Sequence, residues 1–308
     1  MTQATAILGL SAQSSIHAGT GSNTGVIDLP IQREGHNGYP CVFGSSMKGA
    51  LRNHAEFYYP PTQKDKKSIA HPQVATIFGA DVQTEGNTVA GSLMVSDARL
   101  LLLPIRSLTS QFKWVTCPDV LKRYQRDAER FGLTVSAIHV QINDNQACVH
   151  KGCGNSDLLL EEYRFSSCEQ DLSGIIEDIA QLMQRDDAKA ALEKQLVIVS
   201  NDMFAHLCQH ATPVNAHIAI DSATKTVTSG ALWYEETLPP ETLLYVGLAA
   251  NRSRTSEQKA AVDILQEVLA LFNAGQQIED KQGKPWLQIG GNETVGMGWC
   301  AVSTLKGA

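Results

Sequence analysis

Between a first apolar run of strand length, ATAILGLSA (4–12), and a helix-patterned run, SSMKGALRNHAEFYY (45–59), lies a segment that cannot contribute much to a core. From His17 to Arg52 the chain carries seven glycines and few large apolar residues. Glycine lets backbone approach another backbone or a ligand closely, so this stretch is suited to contact rather than to interior packing. One carboxylate stands in its middle. Asp28 is flanked by Val26, Ile27, Leu29 and Ile31 and followed by Pro30. Ionised, it can hold a divalent cation or accept a proton from a hydroxyl. A lone loop Asp can equally be a turn-former that accepts local N–H bonds. The residue by itself leaves both readings open.

The rest of the chain narrows the class. At 308 residues it can bury one large core or two modest ones. The longest apolar candidate, LLLLP at 100–104, is strand-sized, far short of a membrane span. MTQATAILGL at the start lacks the basic flank and long apolar stretch of a secretory signal, so a cytoplasmic location is expected. The seven cysteines, an odd number at irregular spacing, argue against a disulfide framework and fit a reducing compartment. The net charge of −7 is unevenly spread: residues 1–130 carry +3 and residues 131–308 carry −10. A polyanion binder needs a basic face rather than a basic total, and the N-terminal part can supply one.

Periodicity places the elements. Ser45 or Ser46 is the expected N-cap of a helix whose Met47, Ala50, Leu51, Ala55 and Tyr58 share a face. Residues 91–104 read as one strand, 116–132 as a helix, and 135–165 as short strands. DLSGIIEDIAQLMQRDDAKAALE reads as an amphipathic helical stretch and QLVIVS as a buried strand. Residues 215–236 form a hairpin turning near Ser222–Thr224, and TLLYVGLAA is a further strand. A helix opened by Thr255 or Ser256 and closed by Gly275 precedes a glycine loop and a last strand. Strands and helices mix without strict alternation, which predicts an α+β fold in a single domain over 1–308.

GSSMKGALR presents a helix N-terminus, two hydroxyls, and Lys48 and Arg52 at i, i+4, a constellation suited to phosphate. A capped surface helix with solvated cations explains the same letters. GGNETVGMG (290–298) is not a dinucleotide fingerprint, since strand rather than helix follows; it offers a backbone that can lie against phosphates. Cys148, His150, Cys153 and Cys168, and separately His206, Cys208 and His210, lack the paired spacing of structural zinc sites. Cys41 near His36 is proximity in sequence only, and no Ser/His/Asp arrangement is visible.

Taken together, HAGTG, IDLPIQRE, GYP and GSSMKGALR, then LLPIRSLTSQFKWVTCPDVLKRY, LVIVSND, GALWYEETLPPETLLY and QIGGNETVGMGWC, resemble in order the RAMP superfamily backbone subunit of type III-B CRISPR complexes. The resemblance implies a modified ferredoxin-like (RRM-like) palm with an inserted β-hairpin thumb and additional inserted elements. It implies CRISPR guide RNA, target RNA, other subunits of the complex and head-to-tail copies of the chain itself as partners, with no membrane. It implies an endoribonuclease that cuts target RNA at regular intervals, with Asp28 as the catalytic residue. Ser45, Ser46, Lys48 and Arg52, helped by His17, Gly291, Asn292 and Gly296, are implied to hold RNA. A divalent metal ion, Mg or Mn, with Asp28 as a ligand, would assist attack by the RNA 2′-OH and leave a 2′,3′-cyclic phosphate. Glu235, Glu236, His17 and Lys48 are candidates for protonating the leaving oxygen. Two rivals stand beside this reading: a non-catalytic guide-binding scaffold, and the equivalent subunit of a type III-A complex.

Overall fold

A computed structural model describes residues 3–64, 67–79, 90–154, 157–254 and 258–308. The chain opens with β1 (Ala4–Ala12), crosses the glycine-rich segment, and enters α1 (Gly44–Tyr58). It continues through β2 (Ala98–Ser107), β3 (Gln111–Thr116) and α2 (Pro118–Arg130). An insertion follows: β4 (Gln146–His150), β5 (Leu158–Leu160), β6 (Tyr163–Gln170), α3 (Ser173–Ala180), α4 (Ala188–Gln195), β7 (Leu196–Ile198) and α5 (Asn201–His210). The hairpin β8 (Val214–Ile220) and β9 (Val227–Glu236) forms its own two-stranded sheet. Then come β10 (Leu243–Ala250), α6 (Ala261–Ala270), β11 (Trp286–Gln288) and β12 (Trp299–Lys306).

Four of these strands make the ferredoxin-like palm. Their order in the sheet is β12-β1-β10-β2, with every pairing antiparallel, and α1 and α6 are the two crossover helices. β2 then pairs with β3, and the sheet continues through β7, β4, β6 and β5, partly in parallel. The inserted segment therefore extends the palm sheet rather than forming a separate layer. The expected hairpin is the thumb, turning where Asp221 accepts from the N–H groups of Ala223 and Thr224.

An RRM leaves one sheet face open for stacked bases. Here both faces are covered. From Ala6 to Ala12 every residue of β1 is buried, with no alternation. A Cβ on Gly9 would sit 2.1 Å from the Leu182 carbonyl oxygen, and one on Gly247 would sit 2.2 Å from the Phe131 ring. Tyr245 Oη and Arg99 both bond Asp127 of α2, at 2.8 and 2.7 Å, which fastens that helix to the sheet. The palm's broad faces therefore offer no open platform of that kind.

Several expectations change. Phe43, not Ser45 or Ser46, is the N-cap of α1, and no side chain of its own caps it. Instead the Asp97 carboxylate, arriving from the turn before β2, accepts the Gly44 N–H at 2.6 Å. That turn also splits 91–104 into Leu93–Val95 and β2. Residues 135–143 are irregular, and the long amphipathic stretch is two short helices, α3 and α4. The last helix begins at Ala261 with Ala260 as N-cap; Thr255 and Ser256 lie outside the described residues.

Packing predicts opposite effects at two glycines. Gly9→Ala would drive a methyl into backbone and is expected to destabilise by about 1–3 kcal/mol. Gly49→Ala, in α1 with nothing within 4 Å of the added Cβ, is expected to stabilise by about 0.5–1 kcal/mol. Thermal unfolding of both variants checks this, and a neutral Gly9→Ala would contradict the seating of residue 182 on the sheet.

Candidate nucleic-acid interface

The glycine-rich segment has almost no regular structure, yet three consecutive side chains fix it in place. Gln32 donates to the Gly19 carbonyl and to Ser46 Oγ, and accepts the Phe43 N–H at 2.6 Å. Arg33 donates to the Gly38 and Cys208 carbonyls and to Glu236 Oε1 at 2.5 Å. Glu34 accepts twice from Arg123 of α2, at 2.8 and 2.6 Å. Each ties the loop to a different element, so these polar groups are structural.

Asp28 is different. Its backbone runs beside the thumb: the Leu29 N–H donates to the Tyr234 carbonyl, and the Glu236 N–H donates to the Leu29 carbonyl. One carboxylate oxygen, Oδ2, accepts the Tyr234 N–H at 2.8 Å. This bond reaches 206 residues along the chain, so Asp28 is no local turn-former. The half-buried carboxylate sits where the loop meets the thumb strand, beside Val26, which is 93% exposed.

The next turn of β9 brings the other candidates together. His17 Nδ1 lies 2.8 Å from the Glu236 carbonyl oxygen, which uses that nitrogen as donor, and 3.8 Å from Glu235 Oε1. Asn292 donates from Nδ2 to the same Glu235 oxygen at 2.7 Å, and the Gly291 N–H donates to the His17 carbonyl. Asn292 itself is in the left-handed region, and Gly290 allows the contact because a Cβ there would lie 2.3 Å from the His17 carbonyl oxygen. Thus His17, Gly291 and Asn292 form one patch with the base of the thumb. Gly296 lies beyond it, exposed and open around its Cα. Glu236 drops out as a proton donor. It is buried, and its oxygens accept from Arg33, Thr212 Oγ1 at 2.6 Å and the Ile31 N–H at 3.1 Å. Glu235 is likewise buried and committed to Asn292.

Ser45, Lys48 and Arg52 line one open groove on α1, opposite Gly79, Gly91 and Met94. Arg52 is partly satisfied within the chain, donating to Glu56 at 3.0 Å and to the Gly79 carbonyl at 3.3 Å. Ser46 faces away, toward Gln32, which links this groove to the His17 patch. Because Asp97 already answers the first N–H of α1, a phosphate in this groove would rely on the side chains of Ser45, Lys48 and Arg52. Among the described residues no hydrogen bond or ion pair joins Asp28 to His17 or Lys48.

The thiol candidates are structural. Burial pushes the Cys41 thiol up to about 12, so it stays protonated, and His36 is turned toward Glu34 at 3.8 Å. Cys148 and Cys168 are cross-strand neighbours in β4 and β6, and His150 Nδ1 accepts the Leu172 N–H. Among the described residues no three His, Cys, Asp or Glu side chains form a metal-sized group. Asp28 offers a single carboxylate with one oxygen already engaged. A cation held there would have to take its remaining ligands from water and from RNA phosphates.

Comparison with known proteins agrees with this architecture. The RAMP superfamily sequence model matches residues 10–301. The chain is 33% identical over 304 residues to the CRISPR system Cmr endoribonuclease Cmr4 of Pyrococcus furiosus, covering 97% of this chain and 95% of that protein. It is 24% identical to the CRISPR system CMR subunit Cmr4 of Saccharolobus solfataricus, over 94% and 92% of the two chains. The crystal structure of oligomeric Cmr4 from Pyrococcus furiosus superposes with a TM-score of 0.72 at 26% identity, each chain covered completely. An apo type III-B Cmr-beta structure shares the fold, with a TM-score of 0.71 at 20% identity over 97% and 96% of the chains. Palm order, thumb hairpin and near-complete sequence coverage converge: the chain belongs to the RAMP superfamily, as a Cmr4-type backbone subunit of type III-B CRISPR complexes.

Proposed function

We propose that the chain is a cytoplasmic, RNA-guided endoribonuclease subunit. Copies stack head-to-tail along a CRISPR guide RNA within the Cmr complex, and each cuts the paired target RNA once. The observation that carries this reading is the Asp28 carboxylate, held by a thumb N–H at the junction of the glycine-rich loop and the thumb. The Pyrococcus relative, named an endoribonuclease, supports it.

RNA carries its own nucleophile. The 2′-OH attacks the adjacent phosphorus, the bond to the 5′ oxygen breaks, and a 2′,3′-cyclic phosphate remains on the upstream fragment. In this reading Asp28 takes the 2′-OH proton while its Oδ2 stays anchored to Tyr234. With Glu235 and Glu236 committed inside the protein, Lys48 and the imidazolium form of His17, through Nε2, remain to protonate the leaving 5′ oxygen. A divalent cation, Mg or Mn, held by Asp28 together with RNA phosphates, would supply charge stabilisation at the reacting phosphate.

Guide binding is assigned to the α1 groove and the Gly291–Asn292 loop, through phosphates rather than bases. Gly49 lies on the same helix as the groove residues. It lies between Lys48 and Arg52 in the interior of α1, where glycine costs helix stability, and the space around it is empty. A bare helix surface there admits a sugar–phosphate backbone. Lys48→Ala with Arg52→Ala is expected to weaken guide retention strongly at moderate salt and to lower the slope of log K against log salt by about two units. Unchanged assembly of the double variant on guide RNA would refute the placement.

A further inference from the structure

We propose that the pocket between α1 and β11 is a second RNA contact, a stacking site for one unpaired nucleobase with its phosphate. The proposal rests on the RNA-binding reading above but uses none of its residues. The pocket, about 250 Å³, is lined by Asn53, Phe57, Lys284, Trp286, Gln288 and Trp299. Trp286 belongs to the edge strand of the palm sheet and is 46% exposed. Its ring rests on Trp299 with centroids 4.8 Å apart and 39° between planes. An indole held in place by a second indole and still half open to solvent is a ready platform for a base.

The surroundings point to a nucleotide. Lys281 and Lys284 lie over the Phe57 ring, 4.5 and 4.4 Å from its centroid. Lys281 is held further by donating to the Phe57 carbonyl. Lys284, which lines the pocket with Trp286, is thus stationed where a base stacked on Trp286 would carry its phosphate, and Lys281 adds a second positive charge at the Phe57 ring. Asn53 brings an amide to the rim, Gln288 the oxygen of an amide whose nitrogen is held by the Gly290 and Met297 carbonyls, and Glu293 a carboxylate, groups that can meet a base edge. An apolar peptide would find few aliphatic partners here and two ammonium groups to desolvate. The location fits as well: Glu293 follows Asn292 in the loop assigned to the guide, and Asn53 and Phe57 lie on the helix that carries Lys48 and Arg52. Because the palm's broad faces are covered, this edge gives the fold an aromatic site of the kind an RRM keeps on its sheet.

The test uses the full chain and uridine or adenosine 5′-monophosphate, followed by tryptophan fluorescence. Saturable quenching is expected with either nucleotide and none with ribose 5-phosphate. Trp286→Ala should weaken nucleotide binding about 5- to 150-fold. Trp286→Phe should retain most of it, which excludes misfolding as the cause. Lys284→Ala should flatten its salt dependence. In the same preparations, guide retention through Lys48 and Arg52 should survive Trp286→Ala. Quenching absent from the parent chain, or unchanged in Trp286→Ala, overturns the stacking site while intact guide retention leaves the RNA reading standing. If Trp286→Ala instead disrupts RNA-free self-association with nucleotide binding unaffected, the pocket is a protein interface and the proposal is wrong.

Discussion

Asp28→Asn is expected to lose target cleavage by about 10²–10⁴-fold, with guide binding, assembly and target pairing nearly unchanged. Asn keeps the size of Asp and an oxygen able to accept the Tyr234 N–H, so the loop should stay on the thumb. Only the negative charge is removed, and with it proton acceptance and cation binding. If a divalent ion is required through Asp28, the loss should exceed that range and a chelator should stop the parent protein. A target with 2′-deoxyribose at the cut position should resist both proteins. Near-normal cutting by Asp28→Asn, with assembly verified in the same sample, would favour the scaffold reading.

Arg33→Met is expected to be the most damaging substitution outside the core, at about 3–5 kcal/mol, because it strands the buried Glu236 carboxylate. For a chain of this size that corresponds to a fall in Tm of roughly 5–10 °C. Thr212 and the Ile31 N–H would still bond Glu236, but no cation would face it. Arg33→Met combined with Glu236→Leu should recover much of the loss, since an apolar pair avoids burying an unpaired charge. Thermal unfolding of the single and double variants measures this. A double variant as unstable as Arg33→Met would mean that the bonds from Thr212 and Ile31, not the charge pair, hold the thumb base.

How legible this was in the sequence depends on how far each partner lies along the chain. β1 and β10 were read correctly because they are long apolar runs, β2 was run together with the short strand before it, and the thumb was legible because its alternation and turn are local. The role of IDLPIQRE as a unit was legible by resemblance, but not the division of labour inside it. Gln32, Arg33 and Glu34 look as functional as Asp28, and only contacts to Ser46, Glu236 and Arg123, up to 203 residues away, show that they are fasteners. The cap of α1 was misassigned for the same reason. Two serines at a helix start are a strong local signal, yet Asp97 from another element does the work. Glu235 and Glu236, adjacent and equivalent on paper, separate only when Asn292 and Arg33 are seen to claim them. Trp286 gave no signal at all, since an aromatic at the start of a short strand reads as core.

The bond between Asp28 and the thumb has a consequence for measurement along RNA. If Asp28 cuts as proposed, its bond to Tyr234 sets the cutting point by the hairpin on which the carboxylate rests. If each subunit contributes one hairpin to a stack, the interval between cuts equals the pitch of the hairpins, whatever the sequence between them. Loosening α1 from the guide should then blur occupancy without changing the interval. Shortening the hairpin at its base, by contrast, should move every cut by the same offset: a ruler whose marks are engraved on the thumb.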